Sequence, residues 1–232
     1  VNLVALIMAA GSGSRFDPST PKQTTLLNGR TMLAWSAEVL ANSSRVAGLI
    51  LVLPAGAQAS MQELLAPEAA RKLKAALSGG NLRQDSVYNG LEQVPAGTTH
   101  VLIHDAARPC LSSELRDRVI DALAAHDAVV PAMPVTDTLI REEGSRVDAI
   151  MDRVHIAGVQ TPQGFRLDLI RRAHQVARER GFKSSDDGSL VLALGENVAT
   201  VPGERTNLKV TYRDDLVIAE AILKNAWRGR AA

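Results

Sequence analysis

The chain is short of cysteine, of net charge and of any apolar run long enough to span a bilayer, and each shortage closes off a class of function. Cys110 is the only cysteine among 232 residues, so an intramolecular disulfide is impossible and a cysteine-based zinc site is excluded. The formal net charge is +1, so no global basic field points to nucleic acid or to a membrane surface. A polyanionic ligand would need its cations gathered locally. The five histidines, His100, His104, His126, His155 and His174, form no HExxH motif, which reads as packing or surface residues rather than metal ligands. The apolar first ten residues lack a basic leader and are too short to cross a membrane, so the expected setting is reducing and cytoplasmic. A Walker loop is missing as well, because Gly-Lys-Ser/Thr occurs nowhere.

What the chain does have begins near its N-terminus. The apolar run Val4-Ala5-Leu6-Ile7-Met8 flows into Ala9-Ala10-Gly11-Ser12-Gly13-Ser14-Arg15, and Pro21-Lys22 follow a short stretch later. Apolar residues bounded by glycine suit a buried parallel strand, and small residues after it let backbone N–H groups approach phosphate oxygens. Gly-x-Gly also serves ordinary strand-to-helix turns, so the context decides. A dinucleotide fingerprint needs a third glycine where Phe16 stands and an acid where Leu53-Pro54 stands. What remains is a glycine loop, an arginine and a proline-lysine pair, the pattern of nucleotidyltransferases that join an NTP to a phosphorylated small molecule.

Strands and helices alternate along the chain. Helical spacing covers Thr31 to Ala41, a buried strand Leu49 to Leu53, helical segments Gln58 to Leu65 and Glu68 to Lys72, and a short strand Leu73 to Leu77. A helix over Gln84 to Gln93, a strand over Thr99 to His104, a helix over Ser112 to Ala125 and a strand over Ala128 to Met133 follow. With 46% hydrophobic residues, the whole of 1–232 is expected to form one α/β domain, Rossmann-like, with a mostly parallel sheet covered by helices on both faces. Ligands then bind beyond the carboxyl ends of the strands. Three polar segments fall there: the first loop, Gly79-Gly80-Asn81-Leu82-Arg83-Gln84-Asp85-Ser86-Val87, and His104-Asp105-Ala106-Ala107-Arg108-Pro109. The second also serves as a plain helix N-terminus.

Residues 135–155 break the rhythm. Val135 to Arg141 alternates polar and apolar, Glu142-Glu143-Gly144-Ser145 turns, and Arg146 to Arg153 returns, which reads as a hairpin. It is either an edge hairpin on the same sheet or an arm docked on a second subunit.

These segments, with Pro134-Val135-Thr136-Asp137-Thr138, Gln160-Thr161-Pro162-Gln163-Gly164-Phe165 and Asn207-Leu208-Lys209-Val210-Thr211, resemble the 2-C-methyl-D-erythritol 4-phosphate cytidylyltransferase family collinearly from about Val4 to Leu223. The resemblance implies a nucleotidyltransferase fold with a protruding β-arm at about 135–155 used for homodimerisation. It implies transfer of the cytidylyl group of CTP to methylerythritol phosphate with Mg2+, the metal held mainly by triphosphate oxygens and by no dedicated protein ligand. Arg15, Lys22 and Lys209, the last expected at the end of a late strand, would be catalytic. Ala9, Ala10, Gly11, Gly13, Gly80, Asn81, Ser86 and Ala106 would bind the nucleotide; Asp105, Arg108, Thr138, Arg153, Thr161 and Ser185 would bind the acceptor, with Thr138 and Arg153 reaching it from the neighbouring subunit. Asn81 departs from the usual Asp, Ser185 from the commoner Thr, and Thr24-Thr25 replaces an aromatic-containing stretch. The rival readings are a sibling cytidylyltransferase for ribitol 5-phosphate or another sugar alcohol phosphate, against which Ala107 leans, and a non-catalytic nucleotide-binding module of the same fold.

Overall fold

The structure, a computed structural model, describes residues 2–11, 16 and 25–230. Strand β1 (Leu3–Met8) is buried at all six positions, as an apolar run between two covered faces must be. Two short strands, β2 (Leu26–Leu27) and β3 (Arg30–Thr31), pair with each other and lead into α1 (Met32–Ala41). Thr31 caps this helix by accepting the Ala34 N–H at 3.2 Å. The chain continues through β4 (Val46–Leu53), α2 (Gln58–Gln62), α3 (Pro67–Lys72), β5 (Leu73–Ser78), α4 (Arg83–Glu92), β6 (His100–Asp105), α5 (Ser113–Ala122) and β7 (Ala128–Pro134). Each element expected in this half is present, with its ends moved by a few residues. Beyond it lie β8 (Leu139–Glu143), β9 (Arg146–Met151), β10 (Ala157–Val159), β11 (Gln163–Arg166), α6 (Leu167–Glu179), α7 (Asp187–Ala193), β12 (Ala199–Pro202) and α8 (Asp214–Arg230).

Among the described residues the main sheet has eight strands, running β7, β11, β6, β1, β4, β5, with β10 and β12 also paired to β7. β1 is parallel to β4 and β6, β4 to β5, and β7 to β12, so the sheet is mostly parallel as expected. β11 runs antiparallel between β6 and β7, and β10 runs antiparallel to β7 on the edge opposite β12. The register slips between β10 and β11 across Gln160-Thr161-Pro162, which carries Thr161 toward the end of β6.

Side chains of β1 alternate between two cores. Leu3, Ala5 and Ile7 pack with Leu33, Ala37 and Leu40 of α1 and Leu115 and Val119 of α5. Val4, Leu6 and Met8 pack with Val87 and Leu91 of α4, Ile170 and Ala173 of α6, and Val191 of α7. A third cluster joins α8 to α1 through Trp35, Cys110, Ala219 and Leu223. No helix among the described residues is long and apolar enough to cross a membrane.

β8 and β9 form a separate two-stranded sheet, so the hairpin is not an edge of the main one. Gly144 and Ser145 close it with φ of 54° and 65°, the paired left-handed conformation of a two-residue hairpin turn. The return strand stops at Met151, short of the Arg153 expected.

Candidate active site

The parallel strands end side by side. Met8 of β1 is in register with Val52 of β4 and Asp105 of β6, and Leu53 pairs with Ser78 of β5. The chain beyond each strand is held by its neighbour: Ala9 N–H donates to the Val52 carbonyl at 2.7 Å, Ala106 N–H to the Met8 carbonyl at 3.0 Å, and Gly79 N–H to the Leu53 carbonyl at 2.9 Å. Three sequence-distant loops thereby share one rim, at the place where an open α/β sheet binds its ligands.

On the β5 side, Gly79 is required by close approach. A Cβ there would stand 2.3 Å from Ala10 Cβ and 2.7 Å from Ser86 Oγ. Ser86 Oγ accepts the Gly80 N–H at 3.0 Å and donates to the Leu82 carbonyl at 3.0 Å, while Asp85 accepts the Leu82 N–H at 3.1 Å. The segment therefore does both things read from sequence: it starts α4, and it lays a small-residue backbone against Ala10. Asn81 is exposed beside it.

Asp105 is the centre of charge. Its side chain is 10% exposed, and it accepts Arg83 Nε on Oδ1 at 3.0 Å and Lys209 Nζ on Oδ2 at 2.7 Å. Burial pushes this carboxyl upward, but the Arg83 and Lys209 cations outweigh it and hold Asp105 well below the usual carboxylate range. Burial likewise opposes the charge on Arg83, and Asp187 and Asp105 together hold it above the ordinary guanidinium value. Lys209 sits in irregular chain after β12, not at the end of a strand. Its segment is tied instead to the loop after β6, where Val210 N–H donates to the Ala107 carbonyl at 2.8 Å.

A second network braces the acceptor-side loop from behind. Asp105 N–H donates to Thr161 Oγ1 at 3.0 Å; Thr161 Oγ1 lies 3.1 Å from His104 Nδ1, and His104 Nε2 lies 3.2 Å from the Arg108 carbonyl. These partners assign the proton to Nε2, with Thr161 donating to Nδ1. His104 is fully buried, and burial brings its imidazole down to about 4. Among the described residues Arg108 donates to carbonyl oxygens, those of Asn207 at 2.8 Å and Val159 at 3.3 Å, and its buried Nε has no partner there. A guanidinium held by neutral groups retains its charge for an anion.

Of the residues singled out from sequence, Ala9, Ala10, Gly80, Ser86, Asp105, Ala106, Arg108, Thr161 and Lys209 meet around this rim, with Gly11 following directly on Ala10. Gly13, Arg15 and Lys22 lie outside the described residues. Ser185 is exposed two residues before Asp187, near the rim. Thr138 and Arg153 are both exposed, flanking the hairpin, and Arg153 donates to the Thr136 carbonyl within the arm. Sequence reasoning missed Arg83, Asp187 and His174. The available signal was Arg83 itself, a cation at the first position of a helix, where the dipole disfavours it. Cys110 is no nucleophile, since burial pushes its thiol up to about 12. Among the described residues no group of three His, Cys, Asp or Glu could cage a metal ion.

The family model for 2-C-methyl-D-erythritol 4-phosphate cytidylyltransferase matches residues 3–225. The chain is similar to the enzyme of that name from Desulforamulus reducens, at 40% identity over 97% of this chain and 98% of the relative. It is similar to that from Geobacillus kaustophilus at 37% identity over 96% and 97%. Among solved structures, the enzyme of that name from Thermus thermophilus superposes with a TM-score of 0.80 at 39% identity, covering 97% of this chain and all of the other.

Proposed function

The chain belongs to the 2-C-methyl-D-erythritol 4-phosphate cytidylyltransferase family, and from that membership we propose how its residues divide the reaction. The enzyme transfers the cytidylyl group of CTP to 2-C-methyl-D-erythritol 4-phosphate in isoprenoid biosynthesis. An oxygen of the acceptor phosphate attacks the α-phosphorus of CTP; that P–O bond forms as the bond to the β-phosphate breaks, and pyrophosphate leaves. Two polyanions must meet, so catalysis is chiefly positioning and charge neutralisation. No side-chain nucleophile is required.

The observation that carries the assignment is the Lys209–Asp105 pair, which stands where the β1 and β5 loops face the β6 loop. Lys209, 42% exposed, exchanges Asp105 for an α-phosphate oxygen when CTP enters, which leaves the freed Asp105 oxygen to accept from the acceptor hydroxyls. Ala9, Ala10 and Gly11 lie along the triphosphate, and family membership assigns Gly13, Arg15 and Lys22 to the same ligand; Gly80, Asn81 and Ser86 read cytosine, and Ala106 touches the ribose. Arg108, Thr161 and Ser185 complete the acceptor side. Mg2+ would be held by the triphosphate oxygens of CTP and would supply charge neutralisation there; both Asp105 oxygens already face cations, which suits a metal bound without a protein cage.

The arm pairs two chains, with Thr138 and Arg153 clamping the acceptor phosphate of the partner's site. What supports this is its apolar surface: Ile140 and Ile150 stand opposite one another at 48% and 74% exposure, with Val147 at 61% and Val154 at 75%. The reducing cytoplasm is the compartment that suits a chain whose one thiol is free.

The test is pyrophosphate release from CTP with methylerythritol 4-phosphate and with ribitol 5-phosphate, in wild type and Lys209→Ala. Turnover is expected with the first acceptor, and Lys209→Ala should lower kcat on the order of 10²- to 10³-fold. Near wild-type kcat with only a raised KM for CTP would remove Lys209 from the transition state, and preference for ribitol 5-phosphate would reassign the acceptor.

A further inference from the structure

Arg83 occupies the first position of α4, at the positive end of its dipole, and its side chain is only 23% exposed. Two carboxylates hold it there. Nε donates to Asp105 Oδ1 at 3.0 Å and Nη1 to Asp187 Oδ2 at 2.7 Å. Asp187, the first residue of α7, is 1% exposed, and its other oxygen faces His174 Nε2 of α6 at 3.1 Å. His174 is fully buried, and among the described residues its Nδ1 has no hydrogen-bond partner and the ring's one polar contact is with Asp187. A continuous chain of contacts thus runs from the core to the rim: His174, Asp187, Arg83, Asp105, Lys209.

Stability alone does not account for this chain. The desolvation of buried ions offsets much of their attraction, and an apolar contact would join α4, α6 and α7 as well. Geometry does account for it. A guanidinium is planar, so fixing Nη1 on Asp187 fixes the direction in which Nε points, and Nε in turn fixes the plane of the Asp105 carboxylate. Of the Asp105 oxygens, Oδ1 is committed to Arg83 and Oδ2 faces the 42% exposed Lys209.

We propose that His174, Asp187 and Arg83 form a buried positioning relay that sets the rotation of the Asp105 carboxylate, reserving one oxygen for Lys209 and then for an acceptor hydroxyl. The relay rests on the reading of Asp105 as an acceptor-side group. Its members touch neither substrate; they act through Asp105. Burial pushes Asp187 upward while Arg83 and His174 pull it down, and the net shift is downward, so the relay carries a fixed negative charge at its middle.

Steady-state kinetics of Arg83→Gln, Asp187→Asn, Asp105→Asn and the Arg83→Gln/Asp105→Asn double variant test the relay, with KM measured separately for each substrate. Arg83→Gln should cost about 100-fold in kcat/KM for methylerythritol 4-phosphate, the scale of a small misplacement of a positioning group, while KM for CTP stays within about twofold. Asp187→Asn should cost about tenfold in the same parameter, and Arg83→Lys should restore activity only in part because an ammonium lacks the fork. The double variant should be no worse than Asp105→Asn alone, within about twofold, because both changes remove one interaction. Should Arg83→Gln fail to fold by circular dichroism, Arg83→Gln/Asp187→Asn, which removes one charge of each sign, takes its place in the cycle. Losses at Arg83 and Asp105 that multiply, or an equal rise in KM for CTP, overturn the relay alone. Unchanged acceptor kinetics in Asp105→Asn overturn the reading of Asp105, and the relay with it.

Discussion

His104 shows how a residue that touches no substrate can set the acid limit of a site. Its two ring nitrogens tie Thr161 to the Arg108 carbonyl, and burial brings the folded-state pKa to about 4, against 6.5 for the free side chain. Between those values the unfolded chain binds a proton that the folded one refuses, so stability rises with pH through the window and is lost as pH falls through it. The contribution is about 3 kcal/mol, fully present above pH 6.5. Urea midpoints at pH 7 and pH 4.5 should therefore show wild type falling more steeply than His104→Gln, and parallel profiles would mean that the ring titrates normally. At this scale sequence reading reached some residues and not others, for a physical reason. Asp105 and Arg108 announced themselves because they follow a buried strand with only small residues between them. Arg83 lies far in the chain from Asp187 and His174, which come from two successive helices, and only packing of α4, α6 and α7 on one face brings the three into contact.

At the scale of elements, the β–α units were legible because strands covered on both faces are unbroken apolar runs. β10 and β11 were not. Ala157-Gly158-Val159 and Gln163-Gly164-Phe165-Arg166 carry little apolar signal, and what makes them strands is the pairing offered by β6 and β7. Lys209 was placed on a strand for the converse reason: Leu208 and Val210 alternate like one, yet the backbone bonds a loop. Gly90 in α4 marks how closely helix and sheet approach. An alanine would gain about 1 kcal/mol of helix propensity, but its Cβ would stand 2.9 Å from Leu6 Cδ2 and 3.1 Å from Val52 Cγ2. Overpacking costs about 1–3 kcal/mol, so Gly90→Ala should lower the urea midpoint. A higher midpoint would show that α4 can lift from the sheet at little cost.

At the scale of the whole molecule, the proposed pairing through the arm makes each active site the work of two chains. Mixing Arg153→Ala with Lys209→Ala tests it directly. Each variant alone should be nearly inactive, whereas a mixed dimer holds one site with both defects and one with neither, and should recover roughly half the activity of a wild-type dimer. No recovery, with mixed dimers seen by native mass spectrometry, would return Arg153 to its own chain's site. The arm also bears on how an active enzyme comes into being. Its strands are neighbours in sequence, joined by a two-residue turn, so it can form within microseconds once the chain is made. A lone hairpin is marginal in water and pairs with nothing else in its own sheet, so under this pairing its Ile140 and Ile150 stay uncovered until another chain arrives. The last step of maturation is then a collision rather than a folding event, second order in newly made protein, and dilution during synthesis would leave intact folded chains waiting for a partner.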